Sequence, residues 1–326
     1  MKKVFFLMSL LALPFAFVSC GSDDDDNSYK GIELSEPEFA ELAEKYYEIV
    51  VDKDVSDQVE KIVLQLGEDG VALFKSVGEL FPEVSEDVQS VRALKSDADA
   101  PQYAYVTTYK RSADNEDIIE FGFGGTFTLS EGKLVLDAGP LAATELVMTA
   151  VASKVNIVDA MKKVCRTWNI IQTNIKVEGG DLGSDAYSKN FTKDETGTNV
   201  ANDLVYIAAD IDGSSKLQNV KMGPKLSENN RLAKITSISL SKVGFIVIQY
   251  ANGQKDVGEI ESIGLDGKVQ INWPEEFMAN EYLKGDLGVK ATIESNCLRL
   301  EFNSNVKGEI NEPYKVRLEF VMEWAK

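Results

Sequence analysis

The sequence predicts two folded units of different class. Residues 35–152 read as an α+β domain of helices followed by a β-hairpin, and residues 153–326 as an all-β antiparallel domain that closes into a barrel. Three observations carry this. Apolar residues recur at helical spacing before Pro101 and in strand-like runs after it. Strand-like segments then continue to the end of the chain with nothing helical of any length after the opening helix of the second unit. Charge divides at the same place: residues 21–152 hold 29 acidic and 10 basic side chains, whereas 153–326 hold 24 and 22.

The chain opens with Lys2 and Lys3, then an apolar run from Val4 to Val18 broken by Ser9 and Pro14, and stops at Ser19-Cys20-Gly21. This order marks residues 1–19 as a secretory signal peptide. The run is too short for the ~20 residues a membrane span needs. Phe17-Val18-Ser19-Cys20 resembles a bacterial lipobox, and Ser22-Asp23-Asp24-Asp25-Asp26 resembles the export signal of surface lipoproteins in the Bacteroidetes. The resemblance implies that Cys20 is the lipid attachment site, that several acyl chains hold the protein in the outer membrane, and that it is exposed at the cell surface. Residues 20–34, polar and self-repelling, are expected to form an acidic flexible tether.

In the first unit, Ser35-Glu36-Pro37-Glu38 has the form of a capping box, and Phe39, Leu42, Ala43, Tyr46 and Ile49 follow at helical spacing, predicting a helix over about 36–51. Residues 55–81 fit two patterns. Val55, Val59, Ile62, Val63 and Leu66 make a helical face, whereas Ile62, Leu64 and Leu66 make a strand face. The longer match is helical, with Gly67-Glu68-Asp69-Gly70 as a turn before a second helix ending at Pro82. Residues 83–101 run into loop composition. Tyr103–Tyr109 is rich in strand formers, and 125–136 reads as a hairpin with Ser130-Glu131-Gly132 at its tip.

The second unit is expected to begin with a helix from Ser153 to about Cys165, carrying Ile157, Met161 and Val164 on one side. Thr167-Trp168-Asn169-Ile170-Ile171 then starts a series of strands at about 204–209, 234–240, 244–251, 256–263, 267–273, 288–295, 297–303 and 313–324. In the last, Tyr314, Val316, Leu318, Phe320, Met322 and Trp324 share one face and Lys315, Arg317, Glu319 and Glu323 the other. Leu298, Leu300 and Phe302 alternate with Arg299, Glu301 and Asn303 in the same way. A meander with one dry face must roll into a barrel or stack as a sandwich to hide that face and its edges. Cys165-Arg166-Thr167-Trp168, Tyr250-Ala251-Asn252-Gly253 and Val257-Gly258-Glu259 resemble lipocalin-like (calycin-like) domains of Bacteroidetes surface lipoproteins. That resemblance implies a ligand-holding barrel. The family carries glycine two residues before the tryptophan, where Arg166 stands here, and stacks an arginine from late in the chain on that tryptophan. Arg299 and Arg317 both have the polar parity of their strands.

The chain has no histidine, which removes Ser-His-Asp and Cys-His nucleophile systems, His-ligated metals and imidazole acid/base chemistry. Neither a glycine-rich phosphate loop nor a GxSxG elbow is present. The acid excess disfavours nucleic acid as a partner. Asp210-Ile211-Asp212-Gly213 is a fragment of a calcium loop without its downstream glutamate, so no metal and no cofactor is expected. Glu275-Glu276 and Asp194-Glu195 are adjacent carboxylates of the kind 53 acidic residues produce by composition. Cys165 and Cys297 form an even pair in an exported chain and are the disulfide candidate. Trp273, Phe302, Tyr314, Phe320 and Trp324 are candidates to line the barrel. The expectation is a non-enzymatic lipoprotein binding a small hydrophobic molecule or a glycan. A filled barrel serving an outer-membrane assembly with a protein partner is the rival, and a carboxylate-dependent hydrolase the least favoured.

Overall fold

A computed structural model describes residues 36–81, 89–92, 102–179, 187–192, 235–250, 253, 255–272, 288–294, 297–307 and 313–325. The signal peptide, Cys20, the tether, Ser35 of the capping box and the strand expected at 204–209 lie outside the described residues. So do Asp194-Glu195, Asp210–Gly213, Trp273 and Glu275-Glu276.

The first unit is built from strands. In chain order they are β1 Lys45–Val50, β2 Lys61–Leu66, β3 Val71–Val77, β4 Gln89–Arg92, β5 Gln102–Arg111, β6 Ile118–Phe121, β7 Thr126–Thr128, β8 Lys133–Val135, β9 Glu145–Val147 and β10 Thr149–Ala152. They form one sheet in the order β10-β1-β2-β3-β5-β6-β7-β8-β9, with β4 alongside β5. Only Met148 separates β9 from β10, yet they stand at opposite ends of this order. The sheet therefore curls until its two edges meet, and the curl encloses a core containing Tyr47, Ile62, Leu64, Phe74, Tyr105 and Phe127.

The helices expected in this unit are not formed, which corrects the α+β reading. Residues 36–51 supply a single 3₁₀ turn, Leu42–Glu44, and then β1. Phe39, Leu42 and Ala43 are buried as the helical spacing requires, but Tyr46-Tyr47-Glu48-Ile49-Val50 is aromatic and β-branched and pairs with β2 and β10. Residues 61–77 form the β2–β3 hairpin, so the strand face Ile62, Leu64 and Leu66 wins over the helical one. Gly70 closes its turn at φ 72°, where a Cβ would stand 2.8 Å from the Tyr109 carbonyl.

The second unit contains β11 Asn156–Ile157, β12 Thr167–Gly179, β13 Tyr187–Thr192, β14 Ile235–Ser241, β15 Phe245–Tyr250, β16 Lys255–Ile263, β17 Lys268–Asn272, β18 Gly288–Glu294, β19 Cys297–Lys307 and β20 Pro313–Trp324. Each strand from β14 to β20 pairs antiparallel with the next, and β12 pairs with both β14 and β20. Those pairings close an eight-stranded barrel. β13 adds to the far half of β12, and β11 lies parallel to the end of β16. The helix expected over 153–165 shrinks to the 3₁₀ segment Asp159–Val164, because Val155, Asn156 and Ile157 run extended.

The two barrels share a dry wall. Leu73, Ala104 and Val106 on the outer face of β3 and β5, with Ala43, pack against Val243, Phe245, Val247 and Val257 on the outer face of β15 and β16 and the turn before them. The approach is close at Gly67, where an added Cβ would lie 2.7 Å from the Phe245 ring. Polar groups stitch the same wall. The Gln65 side-chain amide donates to the Val243 carbonyl at 2.6 Å, and Lys75 pairs with Glu259.

Candidate functional site

Register decides which side chains enter the second barrel. Val247 and Val257 face the first barrel, so their neighbours Ile246, Ile248, Asp256 and Gly258 face the interior. Across the ladder Ile238 and Leu240 oppose Ile248 and Ile246, and Trp168 opposes Ile238. On the far wall Val289, Ala291 and Ile293 oppose Phe302, Leu300 and Leu298. Phe320 and Met322 complete it against Thr173 and Ile170 of β12, whose register shifts between Ile170 and Gln172. The described wall is therefore almost wholly aliphatic, with Phe302 and Phe320 meeting edge to face at 5.8 Å.

The two ends differ. Short turns at Ser241–Gly244 and Gly264–Gly267 and the step from β18 to β19 lie at the end where β12 begins, and the connections 180–186, 273–287 and 308–312 leave from the other. The first end is plugged. Met161 and Val164 of the 3₁₀ segment are buried there, and the fully buried Trp168 donates its indole N–H to the Val164 carbonyl at 2.8 Å. The Arg166 guanidinium lies 4.7 Å from the Trp324 ring and 5.9 Å from that of Trp168, and its Nε–H donates to the Lys163 carbonyl. Stacking on two indoles suits a planar, weakly hydrated cation. The arginine over the tryptophan thus comes from two residues before it. Arg299 instead binds Glu294 and Glu319 on the outer face, and Arg317 binds Glu301 there.

Of the candidate lining residues, Phe302 and Phe320 are brought together inside the barrel, and Trp324 joins the plug with its indole nitrogen buried and without a hydrogen-bond partner. Tyr314 is described by its backbone alone, opposite Val306 of β19. Two inward polar residues were not anticipated. Thr173 is 1% exposed and Asp256 4%, both in the half of the barrel away from the plug. Strand alternation over 256–263 sets Asp256 on the parity of Ile260, but Gly258 between them hides the pattern.

The cysteine pairing is corrected. Both cysteines are buried and no disulfide joins them. Cys297 opposes Glu323 of β20, and Glu323 opposes Asn169 of β12, so a whole strand stands between the cysteine segments. Two strand spacings of ~4.8 Å exceed the ~7 Å Cα limit for a bridge. Burial pushes the Cys165 thiol well above its ordinary pKa, leaving it an inert thiol.

A second buried polar cluster lies where the barrels join. Glu68, in the β2–β3 turn, is 2% exposed; one oxygen accepts the Lys242 backbone N–H at 2.8 Å and the other has no hydrogen-bond partner. Burial pushes its pKa up to about 7, against the pull of the Lys242 amide, the Ser241 side chain and the Lys242 charge. The neighbouring Asp69 accepts the Thr167 backbone N–H, and burial raises its pKa as well.

Among the described residues no cluster of three or more cysteine or carboxylate side chains could hold a metal, and no helix is long and apolar enough to cross a membrane. Neither a family model, a curated protein nor a solved structure matches this chain.

Proposed function

We propose that this protein is a non-enzymatic lipoprotein, tethered through Cys20 to the outer membrane at the cell surface, whose second barrel binds a small hydrophobic molecule. The anchor rests on the order of signal peptide, Phe17-Val18-Ser19-Cys20 and acidic run. The observation that carries the binding reading is the second barrel's interior: a closed ladder with an aliphatic inward face, plugged at one end and with its long connections at the other. Barrels of eight strands are wide enough either to be filled by side chains or to hold one small ligand. Aliphatic walls recognise an apolar body and offer a glycan few hydrogen bonds, so the hydrophobic class is favoured over sugar.

Titration with a fluorescent alkyl probe tests the reading, with Ala291→Phe as the control. Ala291 is buried on the inward face, and a ring there fills the interior. Saturable binding by the unmodified protein, abolished by Ala291→Phe with the fold retained, is expected. No binding by the unmodified protein would favour the filled barrel of an assembly component. Protease treatment of intact cells should remove the protein, and full protection refutes surface exposure.

A further inference from the structure

We infer that the joint between the barrels is a proton-operated latch: with Glu68 protonated the β2–β3 turn holds the plugged end of the second barrel, and with Glu68 ionised it lets that end go. The turn Gly67–Gly70 reaches across the joint with two adjacent carboxyls. Glu68 accepts the Lys242 backbone N–H in the β14–β15 turn, and Asp69 accepts the Thr167 backbone N–H where β12 begins. On its own side the turn is fixed at several points. The Gly67 N–H donates to the Val71 carbonyl at 2.8 Å, the Phe39 N–H to the Glu68 carbonyl at 3.0 Å and the Tyr109 N–H to the Gly70 carbonyl at 2.7 Å, while the Tyr109 hydroxyl donates to the Gly67 carbonyl.

Protonation decides the balance because this anchored turn cannot carry the Glu68 carboxyl out to solvent. The residue is 2% exposed, and its second oxygen meets no donor. The Gln65 side chain, bound to the Val243 carbonyl of the same β14–β15 turn, adds another buried acceptor without a partner rather than a donor. A neutral carboxyl is tolerated there. A carboxylate needs donors or water, and water enters only when the Ser241–Gly244 turn lifts away. The charged and titratable groups around it are Lys242 from that turn, Cys165 and Arg166 before β12, Tyr109 from β5, Asp69 beside it, and Glu38 and Glu41 from the segment before β1. Burial outweighs the pull of Lys242, whose ammonium also donates to the Ala40 carbonyl at 3.1 Å. Lifting the turn uncovers Cys165, two residues before Thr167 and 1% exposed, and leaves the dry wall of Leu73, Val106 and Val257 in place.

Thiol labelling of the purified full-length protein with N-ethylmaleimide from about pH 5 to 8, read peptide by peptide in a mass spectrometer, tests the latch. Cys165 reports the joint. Cys297, buried at the start of β19, reports openings elsewhere and cancels the reagent's own pH dependence. The ratio of the Cys165 rate to the Cys297 rate is expected to climb by ~10-fold per pH unit and to level off above about pH 7, because the open carboxyl ionises near 4.5 and the closed one near 7. Glu68→Gln should give a flat ratio. A flat ratio in the unmodified protein overturns the inference, whether both cysteines stay protected or both accelerate together as unfolding of the whole unit would make them. An equal climb in Glu68→Gln overturns it as well. Should Glu68→Gln not fold, the ratio in the unmodified protein decides alone.

Discussion

The first barrel is filled with rings, whereas the second gathers two tryptophans at its plug and, apart from Phe302 and Phe320, lines its described wall mostly with aliphatics. In the first, Phe74 meets Phe121 and Phe123 edge-on at 4.9 and 5.2 Å, Tyr47 meets Phe127 at 4.5 Å, and Phe81 meets Tyr105 at 4.9 Å. In the second, Trp168 and Trp324 belong to the plug, and apart from the Phe302–Phe320 pair, Thr173, Asp256 and Gly258 the rest of the described wall is isoleucine, leucine, valine, methionine and alanine. Two rolled sheets of similar strand count thus serve different ends. Interlocked rings make a solid support, while the aliphatic lining of the second barrel is where the proposed ligand would bind.

Truncating the solid barrel should have the largest effect and tests whether the two barrels are one cooperative unit. Phe74→Ala removes a fully buried ring and is expected to cost about 3–5 kcal/mol. Because the wall between the barrels is dry, chemical denaturation followed by far-ultraviolet circular dichroism and by tryptophan fluorescence should shift together. Every tryptophan of the chain lies in the second unit, so its fluorescence reads that unit. A fluorescence transition that stays put while the circular dichroism moves would show two independent domains.

Next in size is the pH dependence of the joint. Glu68 has a native pKa of about 7 against an ordinary value of 4.5. The native state therefore holds a proton that the unfolded chain releases between these values. The contribution is fully present below pH 4.5 and is lost as pH rises through about 7, a change of about 3 kcal/mol. The groups facing it are Lys242 and Ser241 from the β14–β15 turn, Tyr109 from β5, Cys165 and Arg166 before β12, and Asp69 beside it. Glu68→Gln should flatten this window in denaturation series run from pH 4.5 to 8, and an unchanged slope would remove Glu68 as its source.

Overpacking gives a direct reading of solid against hollow. Ala72→Phe in the first barrel, where the site is fully buried among rings, should cost about 1–3 kcal/mol. Ala291→Phe in the second should leave thermal stability unchanged or raised. Equal losses at the two sites would mean that both barrels are filled.

The same contrast explains what the sequence made legible. Strands at 234–240, 244–251, 256–263, 267–273, 288–295, 297–303 and 313–324 were readable because β18 to β20 keep one wet face, seen in Arg299, Glu301, Arg317 and Glu319 beside Leu298, Leu300, Phe302 and Phe320. β3 is buried on both faces at Ala72, Leu73 and Phe74. Leu64 and Phe74 point into the core while Leu73 points into the joint, so the period of two is erased and Val71-Ala72-Leu73-Phe74 reads as well for a helix. The interior pair Asp256 and Thr173 was hidden for another reason. A polar residue on a dry face looks like a break in the pattern until the register is known.

The smallest expected effect concerns the plug. Arg166 holds two indole rings and the Lys163 carbonyl at once. Lysine keeps the charge but loses the planar stacking surface and the Nε–H donor, so Arg166→Lys should cost about 1–2 kcal/mol. Stability alone would not separate this from a general packing loss. Trp168 is fully buried, and Trp324 is buried at its indole nitrogen, so loosening the plug should also admit water and shift tryptophan emission to the red. The first barrel holds no tryptophan, and Phe74→Ala at native conditions should leave emission where it was. An Arg166→Lys protein with unaltered emission and a lowered melting temperature would place the loss outside the plug, and would make the guanidinium's stacking incidental to how the second barrel is closed.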